Sequence, residues 1–430
     1  MTEFSRYMFR WSLCLFGLLF ASVTFSHNPF PWNELEFTAE AVLLVNLDSG
    51  AVLYEKNSDK RLYPASITKL ATALFVLEHD SEFLEESTTI EWDDVASITA
   101  KAKRDANYTQ PAHWLETDAT HMGLKAGEVM SLRDLLNGFL VVSANDAGNA
   151  IARYLGGSIP NFMEELNAYV QRVGATDTHF MNPHGVHHPK HYTTAWDMAL
   201  LGREAFKHPE FRSIVRQSVW QRPETNKQGS TYLAQGNKLV CRGKYYYPYA
   251  IGGKTGYHSA AKNTIVVAAE KEGRSLLAVL MGCSTRADLF TEAAQLFDAA
   301  FGEQLATIQL IPRGVQQVAW NLPEARRPLS VCTQEAIAVQ YYPSEQPHYQ
   351  LDFEWNTDIH LPIKKGQLVG KACLRDSGGA LVASRPLHAE TDLDYSLTAK
   401  LKHSWTRSPG LWICSVLACM GVLYFAVRRS

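Results

Sequence analysis

The sequence contains no block of like charge. Its 41 lysine and arginine residues nearly balance 44 aspartate and glutamate residues, so that the formal net charge of the 430-residue chain is −3. Proteins that hold nucleic acid through its phosphates usually concentrate positive charge on one face or in one tail. The charge pattern therefore excludes an electrostatic nucleic-acid binder, and we expect no nucleic-acid partner.

Cysteine is scarce as well, with seven residues in the whole chain. Three of them lie in apolar runs near the two ends: Cys14, Cys414 and Cys419. The other four are widely spaced and include no Cys-x-x-Cys pair: Cys241, Cys283, Cys332 and Cys373. This spacing argues against a zinc site and against a dense disulfide framework. Cys332 and Cys373 could still form one bridge.

Long runs without charge are confined to the two ends of the chain. Arg6 and Arg10 precede an apolar run at 11–25, which is the layout of a secretory signal peptide over 1–26. An uncleaved anchor at this end stays open. At the other end, 410–427 is free of charge and would span roughly 27 Å as a helix, enough for a membrane anchor. We expect a body exported to the extracytoplasmic or periplasmic side of the cytoplasmic membrane.

Between these ends the chain is long enough for two folded units, since domains usually contain about 100 to 200 residues. Two short apolar strands flank a turn at 48–50. Helical apolar spacing follows at 67–77, 132–155, 162–173 and 194–206, then two strand-like runs at 264–269 and 276–281 and a closing helix at 290–301. Helices enclosed by strands predict an α+β domain, which we place at 37–305.

The pattern changes after this domain. Apolar and polar residues alternate over 337–341 and 349–355, which is typical of half-buried strands. These strands and the glycine-containing turns between them predict a small all-β sandwich over 306–395. No obvious catalytic cluster lies in it. A mostly polar linker over 396–409 would connect it to the anchor.

Histidines are clustered in one short segment. Four of them fall within eight residues: His184, His187, His188 and His191. Pro183, Gly185 and Pro189 interrupt any single helical face, so the spacing predicts a structural loop rather than a metal site. We therefore expect neither a metal nor a cofactor.

Three short motifs carry chemistry. Ser66 and Lys69 lie three residues apart after Pro64, which places the hydroxyl and the amine on one face at a helix start. Alone, such a motif arises on the order of once by chance in a chain of this kind. Ser143-Ala144-Asn145 and Lys254-Thr255-Gly256 follow in that order. Together the three motifs are the signature of penicillin-binding proteins and serine β-lactamases.

The first motif requires a lysine whose pKa is lowered. With an ordinary pKa near 10.4, Lys69 could act as a base at neutral pH only at a cost of roughly 4 to 5 kcal/mol. Burial and the positive charge of Lys254 would both disfavour its ammonium form. We predict that Lys69 is the general base for Ser66.

Longer stretches resemble the D-alanyl-D-alanine carboxypeptidases of the low-molecular-mass penicillin-binding class. They span residues 37–300 and include 53–57, 64–66, 122–128, 143–147, 178–185 and 197–201. Residues 362–370 and 385–387 resemble the family's carboxy-terminal β domain. The resemblance implies a penicillin-binding or serine β-lactamase-like transpeptidase fold, followed by the all-β sandwich and a membrane helix. The region 101–119 matches poorly and is a candidate insertion near the rim of the site.

The resemblance also implies an activity. The chain would trim the terminal D-alanine from peptidoglycan stem peptides through an acyl-enzyme on Ser66, and β-lactams would acylate the same residue. Ser143 would relay a proton to the leaving amine, and Asn145 would hold the substrate's amide. Thr255 and Arg286 would receive the terminal carboxylate, for which an arginine fork is well suited.

The same resemblance assigns an oxyanion hole to backbone groups. The N–H groups of Ser66 and Tyr257 would stabilise the tetrahedral intermediate, with Gly256 in the substrate-binding strand. Two alternatives remain open. The acyl-enzyme could serve a D,D-endopeptidase or transpeptidase acting on cross-links, or the fold could be a non-catalytic peptidoglycan-binding scaffold.

Overall fold

The computed structural model describes residues 32, 35–78, 81–345, 348–376 and 378–407. The predicted signal peptide, 1–26, and the predicted membrane anchor, 410–427, lie outside these residues. Within the described ranges, no helix is both long and apolar enough to cross a membrane.

The amino-terminal unit contains eleven strands and nine α-helices in its described residues. In chain order these are β1 (Ala41–Asn46), β2 (Val52–Lys56), α1 (Thr68–Leu77), β3 (Ser87–Thr89), α2 (Trp92–Val95), β4 (Ser97–Ile98), α3 (Ala100–Asp105), β5 (Leu115–Glu116), β6 (Val129–Ser131), α4 (Leu132–Val141), α5 (Asn145–Gly156), α6 (Ile159–Val173), α7 (Ala195–Ala205), α8 (Pro209–Val215), β7 (Val219–Arg222), β8 (Thr231–Ala234), β9 (Ala250–His258), β10 (Lys262–Lys271), β11 (Arg274–Cys283) and α9 (Arg286–Phe301).

A central five-stranded antiparallel sheet organises this unit, in the order β2-β1-β11-β10-β9. Leu43 and Val45 of β1 pack on one face with helices α1 and α4 to α7, while Val42 and Leu44 pack on the other face with α9. Strands buried on both faces read as continuous apolar runs, which explains the sequence of β1. The predicted hairpin, the two later strands and the α+β class are confirmed.

One predicted helix is in fact two. The apolar spacing over 132–155 predicted a continuous helix, but α4 ends at Val141 and α5 begins at Asn145. Between them Ser143 has a φ of +68°, a left-handed conformation that cannot continue a right-handed helix. The break places Ser143 in a turn directly before the first residue of α5.

The carboxy-terminal unit is built from strands and one final helix. Its elements are β12 (Ala306–Ile311), β13 (Gly314–Trp320), β14 (Leu329–Thr333), β15 (Ile337–Tyr341), β16 (Gln350–Trp355), β17 (Leu368–Arg375), β18 (Leu381–Ala389) and α10 (Leu397–Arg407). Five strands pair in the order β13-β14-β18-β17-β16, and β12 pairs with β15. The strands enclose a separate aliphatic core that includes Val331, Ile337, Val369 and Leu387.

The bridge considered for Cys332 and Cys373 is wrong, because both thiols are free. Strand β18 lies between the strands that carry them. Cys332 is opposite His388 of β18, whereas Cys373 is opposite Ser384. Two strand spacings of about 4.8 Å already exceed the roughly 7 Å that a disulfide tolerates between Cα atoms.

The segment predicted to be a linker, 396–409, contains helix α10. Ser396 precedes its first residue, and the Ser396 Oγ accepts a hydrogen bond of 3.3 Å from the backbone N–H of Ala399. A serine in this position satisfies one of the unpaired donors of a first helical turn. The helix therefore starts at a cap that the polar composition of the segment had concealed.

Arg274 joins the two units. Its side chain is only 3% exposed, and its guanidinium lies 3.6 Å from the ring centroid of Tyr342. The Nε donates to Glu345 at 2.7 Å, and Nη2 donates to Glu303 at 3.1 Å. Glu345 also accepts from Asn46 of β1 at 3.1 Å. A buried arginine with two carboxylates thus fixes the β unit against the central sheet.

Candidate active site

Ser66 lies in a 3-10 turn, Ala65–Ile67, that leads directly into α1. The turn is unusual because Ala65 has a φ of +49°, a conformation that costs energy for a residue with a side chain. A β-carbon at Gly185 would overlap the Ala65 carbonyl oxygen, so only glycine fits there. The Thr264 hydroxyl of β10 donates to the Pro64 carbonyl at 2.8 Å. Neighbouring elements therefore hold the strained turn in place.

Lys69 is fully buried beside this turn. Its Nζ lies 3.0 Å from Ser66 Oγ, 2.6 Å from Asn145 Oδ1 and 2.6 Å from the carbonyl oxygen of His184. A neutral amine has two N–H donors and one lone pair. If the two donors bind Asn145 and His184, the lone pair is directed at the Ser66 hydroxyl. The Lys69 amine is therefore placed to accept the proton of the Ser66 hydroxyl.

Electrostatics favour the neutral form of this amine. Burial lowers the pKa of Lys69 well below its usual range, and the nearby charge of Lys254 lowers it further. The carboxylate of Asp146 acts in the opposite direction. The predicted depression of the Lys69 pKa, with burial and Lys254 as its causes, is confirmed.

Lys254 occupies β9, the strand at the edge of the central sheet. It is 2% exposed, and its Nζ donates to the carbonyl oxygen of Thr255 at 2.8 Å. Burial, followed by the charge of Arg286, lowers the pKa of Lys254 to about 7. This lysine can therefore exchange a proton near neutral pH.

Helix α5 presents the second motif to Lys69. Asn145 is its first residue and is 3% exposed, with its side chain oxygen on the Lys69 amine. Ser143 lies two residues earlier in the left-handed turn. The nucleophile, the buried amine and the asparagine are thus joined by direct hydrogen bonds, and Ser143 lies in the adjoining turn.

Asp146 is a site residue that the sequence did not single out. Its carboxylate accepts hydrogen bonds of 3.1, 2.9 and 3.0 Å from the backbone N–H groups of Met122, Gly123 and Leu124. The carboxylate also lies in the first turn of α5, where negative charge is favourable. It ties residues 122–124 to the start of the helix that carries Asn145. An aspartate directly after the motif at a helix start was the available signal.

Thr255 of the third motif and Arg286 both lie close to Gly236. A β-carbon at Gly236 would lie 3.4 Å from the hydroxyl oxygen of Thr255, and Arg286 Nη2 donates to the Gly236 carbonyl at 3.1 Å. Arg286 is exposed at the first position of α9. The structure therefore brings a hydroxyl and an exposed guanidinium to the same side of the site, although they lie in different elements.

Strand β9 passes directly over the nucleophile. A β-carbon at Gly256 would lie 2.6 Å from the backbone nitrogen of Ser66, so a side chain at this position would force the two apart. The next residue, Tyr257, is 68% exposed. Because β9 is an edge strand, it has backbone groups that no neighbouring strand of the sheet occupies.

The histidine loop supports the site through its backbone. His184 supplies the carbonyl that holds the Lys69 amine, and its Nε2 lies 3.2 Å from the carbonyl of His113. The Asn182 amide donates to the carbonyl of Ala112 at 3.2 Å. The poorly matching region 101–119 therefore packs against this loop. The sequence predicted the loop but missed its contact with Lys69, because a carbonyl acceptor has no residue-type signature.

The comparisons with known proteins agree with this geometry. The family described as D-alanyl-D-alanine carboxypeptidase, peptidase S11, matches residues 26–285, more than half of the chain. The D-alanyl-D-alanine carboxypeptidase DacF of Bacillus subtilis is 28% identical over 364 residues, covering 84% of this chain and 87% of that protein. DacB2 of Mycobacterium tuberculosis is 34% identical over 271 residues, covering 61% and 82%.

Solved structures are similar over comparable lengths. Penicillin binding protein 5 from Haemophilus influenzae is 26% identical with a TM-score of 0.56, covering 84% of this chain and 98% of that one. A D-alanyl-D-alanine carboxypeptidase from Mycobacterium tuberculosis is 30% identical with a TM-score of 0.53, covering 63% and 93%. The α+β fold of the penicillin-binding proteins is therefore shared, and the chain belongs to the peptidase S11 family of D-alanyl-D-alanine carboxypeptidases.

Proposed function

We propose that this chain removes the terminal D-alanine from peptidoglycan stem peptides through a covalent acyl-enzyme on Ser66. The observation that carries the proposal is the buried Lys69 amine 3.0 Å from the Ser66 hydroxyl, with two acceptors ready for its N–H groups. A serine nucleophile needs such a base, because its hydroxyl is weakly nucleophilic at neutral pH. Family membership supplies the substrate class.

Acylation begins with transfer of the serine proton to Lys69. The Ser66 oxygen attacks the carbonyl carbon of the penultimate D-alanine, forming a tetrahedral intermediate with a negatively charged oxygen. The backbone N–H groups of Ser66 and Tyr257 would stabilise that oxygen, since preorganised donors act strongly in a site shielded from water. The close approach of Gly256 to the nitrogen of Ser66 supports this pairing.

Collapse of the intermediate expels the terminal D-alanine as an amine, which must gain a proton. Lys69 holds the proton taken from the serine, and Ser143 would relay it with the help of Lys254. The pKa of Lys254, lowered to about 7, suits it to this exchange. Water then releases the shortened peptide from Ser66, using the same groups in reverse.

Recognition would use both ends of the scissile dipeptide. Arg286 and Thr255 would bind the terminal carboxylate, and the contact that each makes with Gly236 supports their common role. The Asn145 amide would hold the peptide bond that precedes the cleaved one. β-Lactams present a comparable carboxylate and acyl group, so they would acylate Ser66 as well.

We also propose that the catalytic body is exported and held at the cytoplasmic membrane. The support comes from the sequence, through the basic and apolar pattern of 1–26 and the uncharged run at 410–427. Fractionation of cells producing the full chain and a chain ending at residue 409 tests this. The full chain should sediment with membranes and the shortened one should not, and equal distributions would contradict the anchor.

The covalent step is tested with a fluorescent penicillin. Wild type should retain the label after denaturation, and mass spectrometry should place it on the peptide that contains Ser66. Ser66→Ala should lose the label, whereas Ser213→Ala, an exposed serine of α8, should keep it. Labelling of Ser66→Ala at the wild-type rate would reject Ser66 as the nucleophile.

Product analysis separates the carboxypeptidase from its alternatives. A stem pentapeptide and a cross-linked peptide dimer are incubated separately with the purified body. Release of free D-alanine from the pentapeptide, with the dimer left intact, supports the proposal. Cleavage of the dimer would instead identify an endopeptidase, and absence of turnover on both would identify a scaffold.

A further inference from the structure

Three segments of the chain converge on the Ser66 turn, and each continues into the same group of aromatic rings. The first contains Tyr63, three residues before the nucleophile. The second passes Gly185, which touches the Ala65 carbonyl, and reaches His187. The third passes Gly256, which lies against the Ser66 nitrogen, and reaches His258 at the end of β9.

These three rings, Tyr63, His187 and His258, form what we call the ring cluster. The rings of Tyr63 and His187 meet edge to face at 4.7 Å between centroids, and those of His187 and His258 at 5.1 Å. Tyr63 and His258 complete the triangle at 6.1 Å. Edge-to-face packing favours a defined relative orientation of neighbouring rings. The cluster therefore couples the three segments mechanically.

Each segment carries a different part of the acylation machinery. The turn after Tyr63 carries the nucleophile. The loop before His187 supplies the His184 carbonyl that orients the Lys69 amine at 2.6 Å. The strand before His258 carries Lys254 and the substrate-binding edge. Relative movement of any two segments would change the distance between nucleophile, base and substrate.

We propose that the ring cluster is a positioning element for acylation, which keeps the Ser66 turn, the His184 carbonyl and strand β9 in register and requires neutral imidazoles. The proposal rests on the acylation of Ser66 put forward above. The three rings act through the groups that they hold in place, without contact with the reacting atoms.

The requirement for neutrality follows from the hydrogen bonding of His258. Its Nδ1 accepts a hydrogen bond of 3.0 Å from the backbone N–H of Ala261, which closes the turn between β9 and β10. Nδ1 is therefore the unprotonated nitrogen, and the ring proton resides on Nε2. Protonation would place a hydrogen on Nδ1, opposite the Ala261 donor. The two opposed N–H groups and the new positive charge would push the ring out of the cluster, whereas loss of the hydrogen bond alone would not.

The groups around the cluster also disfavour an added charge. His187 faces His258 directly, and His191 lies near enough for the two charges to interact. The charges of Lys103 and Arg104 in α3 also act on His187, the charge of His187 would act on His188, and the ring of Tyr108 contacts His187 at 5.6 Å between centroids. Burial, followed by the neighbouring His187, lowers the pKa of His258 to about 4.

The carboxylate of Glu116 is paired with one of these cations. It lies 4.0 Å from Lys103 and so acts on the lysine rather than on the rings. Burial, followed by the charges of Lys103 and Arg104, also lowers the pKa of His187. Both imidazoles are thus neutral at the pH at which acylation proceeds.

Three substitutions of His258 separate the possible roles. His258→Phe keeps the ring and removes the side-chain acceptor for the Ala261 N–H, which also donates to the backbone carbonyl of residue 258 at 3.1 Å. His258→Asn keeps an acceptor and removes the ring. His258→Ala removes both. A matched control is His179→Ala, which removes a half-buried imidazole that contacts the ring of Tyr192 at 6.1 Å, outside the cluster.

The measurement is the second-order rate constant for acylation by a fluorescent penicillin at pH 7.5, with thermal unfolding recorded for every variant. His258→Ala and His258→Asn should be acylated about 10- to 100-fold more slowly, because displacements of about 1 Å at a reacting centre have effects of this size. His258→Phe and His179→Ala should stay within threefold of wild type. Equal rates for His258→Ala and wild type would overturn the proposal.

A pH profile gives a second, independent readout. The acylation rate of wild type is divided by that of His258→Phe at each pH, so that the titration of Lys69, which is common to both proteins, cancels. The ratio should be constant above pH 6 and should fall with a midpoint near pH 4, where His258 gains its proton. A ratio that stays flat to pH 4 would overturn the neutrality requirement.

The outcomes also separate this inference from the proposed function. If wild type is not labelled at Ser66, the proposed acyl-enzyme itself fails. If wild type is labelled and His258→Ala is labelled equally fast, the acyl-enzyme stands and the positioning role is wrong. If His258→Phe is as slow as His258→Ala at pH 7.5, the Ala261 hydrogen bond rather than the ring packing is responsible, and the ring cluster is rejected.

Discussion

The two units of this protein bury different kinds of side chain. The amino-terminal unit encloses ionisable groups, among them Lys69, Lys254, Asp146 and Glu128, each at most 2% exposed. In the described part of the carboxy-terminal unit, Thr333 is the single buried polar side chain, and the core around it is aliphatic. The amino-terminal unit thus buries ionisable side chains, whereas the described part of the carboxy-terminal unit buries aliphatic ones.

The difference indicates that buried groups needed for the reaction lower the stability of the amino-terminal unit. Removing an ionisable group from water is unfavourable unless it is paired or neutralised. Around Ser66 two lysines are kept buried with lowered pKa values, and a backbone turn is held at a positive φ. The β unit carries no comparable cost. We therefore expect that substitutions of the buried ionisable groups in the first unit can abolish activity while stability is kept or raised. Substitutions in the second unit should change stability alone.

The largest expected effect is on the base. Lys69→Ala should slow acylation of Ser66 by about 10³-fold or more, which corresponds to roughly 4 kcal/mol or more of barrier, because no other group would take the serine proton. Stopped-flow acylation by a chromogenic β-lactam measures the rate. Lys60→Ala, an exposed lysine paired with Glu40, is the control and should be unaffected. A loss below tenfold would show that Lys69 is not the base.

The next effect concerns the contact between the units. Arg274→Ala should reduce the free energy of unfolding by about 3 to 5 kcal/mol, because Glu303 would remain buried, and Glu345 partly buried, without their cation. Urea denaturation measures the change. Lys371→Ala breaks the exposed pair with Glu354 and should cost much less, because water screens the attraction between exposed charges. Similar losses for the two variants would mean that the Arg274 network contributes no more than a surface pair.

Lys254 should be a residue whose removal stabilises the fold. An unfolded lysine binds its proton below a pH of about 10.4, whereas the folded Lys254, with a pKa of about 7, binds it only below that value. Between these values the unfolded chain holds more protons, so wild type loses stability as the pH falls from 10 to 7. Lys254→Met should therefore raise the free energy of unfolding at pH 7 by about 3 kcal/mol while abolishing activity.

Paired urea denaturations of wild type and Lys254→Met at pH 7 and pH 9.5 test this. The stabilisation of the variant should be smaller at pH 9.5, because the free energy needed to remove the proton from an unfolded lysine falls as the pH approaches its pKa of about 10.4. A variant that is less stable at pH 7, or a difference independent of pH, would contradict the assignment of a costly buried lysine.

The features predicted correctly from the sequence are local ones. The hairpin of β1 and β2 and the start of α1 after Ser66 follow from apolar periodicity within a few residues, and the pKa of Lys69 follows from motif order and burial. The break at Ser143 was missed because a single left-handed residue leaves apolar spacing on both sides unchanged. The start of α10 was missed because the segment 396–409 is mostly polar.

The features that were missed or wrong depend on long-range placement. The carbonyl of His184 reaches Lys69 from 115 residues away, and any residue type supplies such an oxygen. The proposed pairing of Cys332 with Cys373 failed because alternation identifies strands but not their order, and β18 lies between them. The roles of Ser143, Thr255 and Arg286 stay predictions.

The smallest expected effect tests the β unit. Val331 of β14 is fully buried in the aliphatic core, so Val331→Ala should lower the free energy of unfolding by about 1 to 2 kcal/mol. The acylation rate of the folded protein should stay within twofold of wild type, because nothing in this core contributes to the site around Ser66. Val279→Ala in β11, equally buried in the catalytic unit, is the matched comparison. A slower acylation in Val331→Ala would mean that the β unit, despite its apolar core, positions the active site.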